Sequence, residues 1–367
     1  MNLMRIMTSA ALSALLLFMT ACGSGSSNNN GTGAGTGSKE SASSTEGAAK
    51  AGTSATPVPI DYGLYCGKEC QEALTLKASP DSIKGKVGFA VASLTFPYGA
   101  ALKSRTEEAA KKYFPNMELL VGDGQNDPSV QTSIVDDFIS KGVQVLIINA
   151  VEKDALVPAV ERAVKAGIKV ISVDRTVNTK VLTTIKANDL DLGMNAGQSL
   201  VTLLNGKGNV VELQGSPSAS PTIDRHKGFT DAIAGSPDIK VIASQHANYD
   251  QAQGLKVMED LLQRFPKGQI DAVYTHADMM TMGALQAIKA AGRQNEIKLI
   301  SIDGMQTTFD AISDGEIAGT AVYPVIAPMN VIAAAKALVG EPMPEFIKLE
   351  SPVVTKENVA KYNGTTY

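Results

Sequence analysis

From residue 86 onward, short runs of β-branched and apolar residues alternate with longer amphipathic stretches, and this alternation limits the available folds more than anything else in the chain. "KVGFAVA" leads to "PYGAALKSRTEEAAKKYF", "MELLVGD" to "DPSVQTSIVDDFISKG", and "VQVLIINA" to "DALVPAVERAVKAG", after which "KVISVD" follows. In the third helical stretch Leu156, Ala159, Val160, Ala163 and Val164 fall on one face, with Glu161, Arg162 and Lys165 opposite. Gly142 and Gly167 stand just past helices, where a left-handed C-cap is required. Strands this short and this apolar, separated by helices, predict a parallel sheet covered on both faces.

A second series begins after "TTIKAN" (183–188). Its strands are "NVVELQG", "IKVIASQHA", "DAVYTHA" and "KLISIDG", with helices such as "DQAQGLKVMEDLLQRF" and "MMTMGALQAIKAAG" between them. One piece recurs: "ALVPAVERAVKAGIKVISVD" (155–174) parallels "ALQAIKAAG" (284–292) followed by "IKLISID" (297–303). The expected fold is therefore α/β, with two doubly wound parallel-sheet lobes. In such sheets ligands bind beyond the carboxyl ends of the strands. Two lobes facing each other would bring those ends into one cleft.

The residues at those ends are Tyr98, Asn149, and Asp174 with Arg175 in the first series. The second series supplies His276, Asp278 and Asp303. "KVISVDRT" poses the sharpest question, because a buried strand ending on two opposite charges needs a partner for each. Asp174 and Arg175 either cap the sheet edge as an ion pair or face a ligand. Planar amides, carboxylates, a guanidinium and tyrosine rings suit a neutral polyhydroxy ligand: the polar groups exchange hydrogen bonds with hydroxyls, and the rings cover C–H faces. Asp278 also suits a helix N-terminus, and the Met-rich "MMTM" (279–282) reads as core filling.

The N-terminal stretch points to export. Arg5 precedes the apolar run "SAALSALLLFMTA", which is shorter than a membrane span and ends at Cys22, so residues 1–21 read as a signal peptide. "MTAC" is similar to a lipobox with Cys22 as the lipidated residue; a plain signal peptide or a chance cysteine are the alternatives. Residues 22–60, rich in Gly, Ser, Asn and Thr, are too poor in bulky apolar groups to order and read as a flexible tether. In the extension 61–84, Cys66 and Cys70 ("CGKEC") are expected to form a local disulfide outside the cytoplasm, with two free thiols as the alternative. The net charge of −4 is mixed along the chain, and no basic stripe suggests nucleic acid. No metal or cofactor is implied. The three histidines, His226, His246 and His276, are too widely spaced for a metalloprotease helix, and P-loop, Gly-x-Gly-x-x-Gly and Gly-x-Ser-x-Gly patterns are missing from the places their chemistry needs.

Residues 86 to 355 resemble the sugar-binding proteins of bacterial ABC importers, of the ribose- and galactofuranose-binding type (periplasmic-binding-protein type I). The likeness is carried by "SLTFPY", "IINA", "SVDRT", "NVVELQGSPSAS", "IDRHKGF", "THADMMTMGAL" and "SIDG". It implies that Tyr98 and Tyr249 stack on a sugar ring, and that Phe96 occupies a position that is asparagine in ribose binders. It implies too that Asn149, Asp174, Arg175, Arg225 and Asp303 grip hydroxyls. Ala277, with Asp278 beside it, and Tyr323 replace two amides of ribose binders, and Ile302 replaces an aromatic, which argues against ribose itself. The family's arrangement implies a first lobe at 85–187 and 324–350 and a second at 188–323 and 351–367, joined by a three-strand hinge. The expected protein is a monomeric, lipid-anchored, non-enzymatic receptor on the outer face of the cytoplasmic membrane. It would capture a monosaccharide or polyol by hinge closure and present it to a permease and its ATPase. A signal receptor feeding a sensor kinase or chemoreceptor is the alternative, and a secreted carbohydrate-active enzyme a more distant one.

Overall fold

The computed structural model describes residues 59–367. The expected signal peptide 1–21, Cys22 and all of the tether 22–60 but its last two residues lie outside the described residues. Among the described residues no helix is long and apolar enough to cross a membrane.

A short helix, α1 (Lys68–Leu74), carries one end of a disulfide between Cys66 and Cys70, whose Cα atoms are 5.2 Å apart. The first series of strands and helices then follows as β1 (Gly85–Val91), α2 (Pro97–Tyr113), β2 (Met117–Asp123), α3 (Pro128–Ser140), β3 (Val145–Ile148), α4 (Val157–Lys165), β4 (Lys169–Val173) and β5 (Thr183–Ala187). The second comprises α5 (Asp189–Leu203), β6 (Lys207–Gln214), α6 (Ser220–Ile233), β7 (Asp238–His246), α7 (Gln251–Arg264), β8 (Ala272–Thr275), α8 (Asp278–Ala290), β9 (Lys298–Asp303), α9 (Gln306–Ser313) and β10 (Gly319–Val322). Finally α10 (Met329–Val339) and β11 (Phe346–Leu349) return to the first sheet, and β12 (Val353–Thr355) joins the second.

The strand orders are β11-β5-β4-β3-β1-β2 and β12-β10-β9-β8-β6-β7. Every pairing is parallel except that of β10 with β12. The core strands of the two sheets thus follow one plan, with the order reversing between β1 and β3 in one and between β6 and β8 in the other. This reversal is the switch point at which doubly wound sheets bind ligands. The chain crosses between lobes three times: after β5, between β10 and α10, and between β11 and β12.

Burial follows from the parallel arrangement. All four residues of β3 are buried, Val145 and Ile147 toward one helical layer and Leu146 and Ile148 toward the other. A strand covered on both faces needs apolar residues on both, which is why it reads as a continuous run. At the edge of the second sheet, β7 alternates less cleanly and is largely exposed.

The second lobe positions its cleft residues by unusually close helix packing. A Cβ on Gly193 of α5 would lie 2.2 Å from the Arg225 carbonyl on α6, and one on Gly228 would lie 2.1 Å from the Leu190 carbonyl. Backbone therefore meets backbone, and Asp189 at the start of α5 is brought to Arg225. Gly193→Ala is expected to force these helices apart at about 1–3 kcal/mol. This should appear as a drop of several degrees in the thermal midpoint by calorimetry; an unchanged midpoint would mean that the helices are not in backbone contact.

Candidate functional site

The carboxyl ends of β1, β3, β4, β8 and β9 open onto one cavity between the lobes, and ten of the eleven sequence-derived ligand residues line it. They are Phe96, Tyr98, Asn149, Asp174, Arg175, Arg225, Tyr249, Ala277, Asp303 and Tyr323. The space open to the centres of water-sized molecules is about 70 Å³, room for a handful of hydroxyl-sized groups.

The β1–α2 turn supplies the aromatic wall. Phe96 is the N-cap of α2, with Pro97 in the first turn, where a missing N–H is harmless. Gly99 lets this turn close, since a Cβ there would sit 1.9 Å from the Ser93 carbonyl. Tyr98 donates its hydroxyl to the Pro324 carbonyl at 3.3 Å, on the second crossing between lobes. Its ring meets Tyr323 edge-on with centroids 5.5 Å apart.

Asn149 links the tips of three strands. Its Oδ1 accepts from the Ala92 amide at 3.0 Å, and its Nδ2 donates to Asp174 Oδ2 at 2.6 Å. Asp174 and Arg175 do not form an ion pair with each other; among the described residues Arg175 pairs with no carboxylate. Arg175 instead donates to the Val151 carbonyl at 3.1 Å and lies 5.7 Å from the centroid of the Tyr249 ring across the cleft. The capping reading of "KVISVDRT" therefore does not describe the pair. Burial raises the Asp174 carboxyl above its usual range, opposed by the charge of Arg175.

Across the cleft Arg225 is buried with about 4% of its surface exposed. It donates from Nε to Asp189 Oδ1 at 2.8 Å and from Nη1 to the His276 carbonyl at 2.5 Å, with Asp303 Oδ1 at 3.3 Å. Burial works against the Asp189 charge, yet Lys186 and Arg225 together hold that carboxyl below its usual range. Asp303 behaves oppositely. Arg225 is near, but its charge is shared with Asp189, and burial pushes Asp303 up to about 8. Tyr249 packs closely against Gly215, where a Cβ would lie 2.0 Å from the ring, and its hydroxyl meets that of Thr222 at 2.6 Å. Asp174, Tyr249 and Asp303 all have positive φ, of 61°, 62° and 131°. Non-glycine backbone of this kind costs about 1–3 kcal/mol and gathers at functional sites.

Three residues depart from expectation. Asp278 does not reach the cavity. It is fully buried, and its carboxylate accepts from the amides of Gly304 and Met305, both at 2.7 Å, and from the hydroxyls of Ser301 and Thr320. It shapes the turn after β9, while Ala277 holds the N-cap position of α8. His276 is also buried; its Nε2 donates to Glu212 at 3.0 Å, behind the cleft. Burial alone would raise Glu212, but bonds from His276, Ser244 and His226 hold it down at about 2. In "MMTM", Met280 fills the core, whereas Met279 borders the cavity.

Sequence reasoning missed Ser93, Pro221, Met305 and Tyr367 on the cavity wall, and Asp189 behind it. Ser93 stands two residues past β1 and is open to the strand-tip rule. Tyr367 carries no such signal, because it stands on no strand tip.

Two doubly wound lobes enclosing a polar and aromatic cavity at their strand ends define a bilobal solute-binding protein. The chain belongs to the family described as periplasmic binding protein domain, whose profile residues 87–339 match. It is 34% identical over 271 residues to the ribose import binding protein of Bacillus subtilis, covering 72% of this chain and 86% of that one. It is 34% identical over 295 residues to the galactofuranose-binding protein of Escherichia coli, covering 77% and 92%. A solved structure, the fructose-binding periplasmic domain of a hybrid two-component system, superposes with a TM-score of 0.72 at 30% identity, covering 76% of this chain and 93% of that one. The family is one of binding proteins, not of enzymes.

Asp303 generates a pH prediction. Its proton is held to about 8 in the folded chain, against about 3.9 for an unfolded aspartate. The folded state therefore binds more protons between those values. The associated stability is complete below the lower value and is lost as pH rises through the upper one. Asp303→Asn should flatten the fall of the thermal midpoint between about pH 4 and pH 8. Parallel profiles for variant and wild type would show the carboxyl to be ionised throughout.

Proposed function

We propose that the protein is the extracytoplasmic receptor of an ABC importer for a monosaccharide or polyol, anchored through lipidated Cys22 and delivering its ligand to a membrane permease. The observation that carries this reading is the composition of the cavity. Lobe one contributes Asn149, Asp174 and Arg175, and lobe two contributes Arg225 and Asp303, with Phe96, Tyr98, Tyr249 and Tyr323 around them. Two guanidinium groups and two carboxyls, one of them (Asp303) held protonated to about 8, offer donors and acceptors to the hydroxyls of an uncharged ligand. Carboxyls and guanidinium groups hold adjacent hydroxyls through charge-assisted bonds, and rings cover C–H faces. The sugar-binding relatives support the same ligand class.

Closure follows from where these groups stand. A ligand that bonds to both lobes favours their approach by the contacts that only the closed form completes. By the resemblance, Ala277 and Tyr323 stand where ribose binders carry amides, which argues against ribose as the ligand. The apolar segment before Cys22 and the Gly/Ser/Asn tract after it support anchoring and tethering outside the membrane.

A second reading is favoured by one observation, the similarity to a periplasmic domain of a hybrid two-component system. In that reading the closed form is read by a sensor. Labelled-sugar uptake separates the two: cells lacking the protein lose uptake if it serves an importer and keep it if it serves only a sensor.

The ligand class is tested by thermal shift with pentoses, hexoses, inositols and alditols. A ligand at 100 times its Kd adds about 2.7 kcal/mol of stability, a shift of several degrees. No shift with any of them would overturn the proposal. Arg175→Ala should fold normally and weaken binding by roughly 10–100-fold, as loss of a charged hydrogen bond in a desolvated site does. Wild-type affinity in calorimetry would remove Arg175 from the site.

A further inference from the structure

The cavity has one wall that comes from outside the family match at 87–339. Tyr367 lines it, with its ring centroid 5.7 Å from that of Tyr98 at an interplanar angle of 74°. Tyr98 thus stands between two edge-on rings, Tyr323 at 5.5 Å and Tyr367. The preferred edge-to-face geometry holds all three in place.

The segment carrying Tyr367 is tied down on both sides of the cleft. Arg105 of α2, in lobe one, donates from Nη2 to the Thr366 carbonyl at 2.5 Å. The Gln306 amide at the start of α9, in lobe two, donates to the Tyr367 carbonyl at 3.1 Å. The Gln306 side-chain oxygen accepts from the Gly364 amide at 2.8 Å, and the hydroxyls of Thr365 and Tyr65 meet at 2.8 Å. Four consecutive residues each anchored by a hydrogen bond place the ring at a set depth. Its phenol, pushed well above its usual range by burial and by Asp303, stays neutral and keeps its hydrogen.

Taking the cleft as a monosaccharide or polyol site, we propose that Tyr367 is a specificity-determining wall: it closes the side of the cavity facing 364–367, favouring one compact ring and excluding ligands that carry a substituent in that direction. The relevant chemical class to exclude is the glycoside, a sugar ring bearing an alkoxy or sugar group.

The test uses the full chain and titration calorimetry with D-galactose, L-arabinose, D-fructose, xylitol, myo-inositol, methyl galactosides of both anomers and lactose. Wild type should bind at least one compact member and reject the glycosides. Tyr367→Ala should weaken the best compact ligand by roughly 10-fold, the equivalent of about 1.4 kcal/mol, and raise glycoside affinity relative to it. Tyr367→Phe keeps the ring and should keep the wild-type ranking. Arg105→Ala removes one of the four anchors, the one on lobe one, without touching the cavity and should shift the ranking in the same direction as Tyr367→Ala; it decides the matter if the latter does not fold. An unchanged ranking in both alanine variants, or equal weakening of every ligand, overturns the wall. A wild-type chain that binds no compact member overturns the sugar reading as well.

Discussion

The cleft rests on a buried chain of charges that begins at the first crossing between the lobes. Lys186, at the end of β5 in lobe one, faces Asp189 Oδ2 at 2.5 Å as an ion pair outside hydrogen-bond geometry. Asp189, at the start of α5 in lobe two, accepts from Arg225 at 2.8 Å, and Arg225 reaches Asp303 at the cavity wall. The start of a helix is also a favourable place for a carboxylate. Removing one member of such a chain leaves an uncompensated buried charge, which costs about 3–5 kcal/mol. The glycine contact between α5 and α6 and the positive φ of Asp303 are consequences, since both bring backbone to where these charges must meet.

Arg175, just past β4, and Arg225, within α6, stand on opposite walls and are held differently. Arg225 has Asp189 as a standing partner, so its guanidinium is fixed whether or not a ligand is present. Arg175 has a backbone carbonyl and an aromatic face, and the Thr176 amide beside it bonds to the Ser220 hydroxyl across the cleft at 3.2 Å. Contacts of this kind between lobes are individually modest. A ligand that offers Arg175 an acceptor and Asp174 a donor, and that also reaches Arg225, would add bonds bridging the two lobes.

The sheet strands were legible because a strand buried on both faces has little choice but an apolar run. The strand-tip rule then found Tyr98, Asn149, Asp174, Arg175 and Asp303, since parallel strands all deliver their ends to the same edge. It failed at His276 and Asp278 for one reason. Near the tip of β8 side chains alternate in direction, and spacing alone does not tell which of three successive residues faces the cavity; Ala277 does. Asp189 resembled an ordinary helix-start acid, and its role depends on Lys186 and Arg225, one on another lobe and one 36 residues away. Tyr367 was illegible in a stronger sense, because its place depends on a return path that no local pattern encodes.

That return path also meets the segment that precedes the first strand. The Tyr65 carbonyl accepts from the Glu350 amide at 2.8 Å, at the third crossing. The Tyr65 ring packs with Val354, Val359 and Tyr362 of lobe two, while α1 and its disulfide pack on α10 and β11 of lobe one. A segment outside the matched domain therefore touches both lobes beside the third crossing. Gly63, two residues before Tyr65 at φ 72°, is backbone that glycine adopts at little cost. The segment that precedes the first strand and the one that supplies Tyr367 meet beside the same cleft, through the Tyr65 and Thr365 hydroxyls at 2.8 Å.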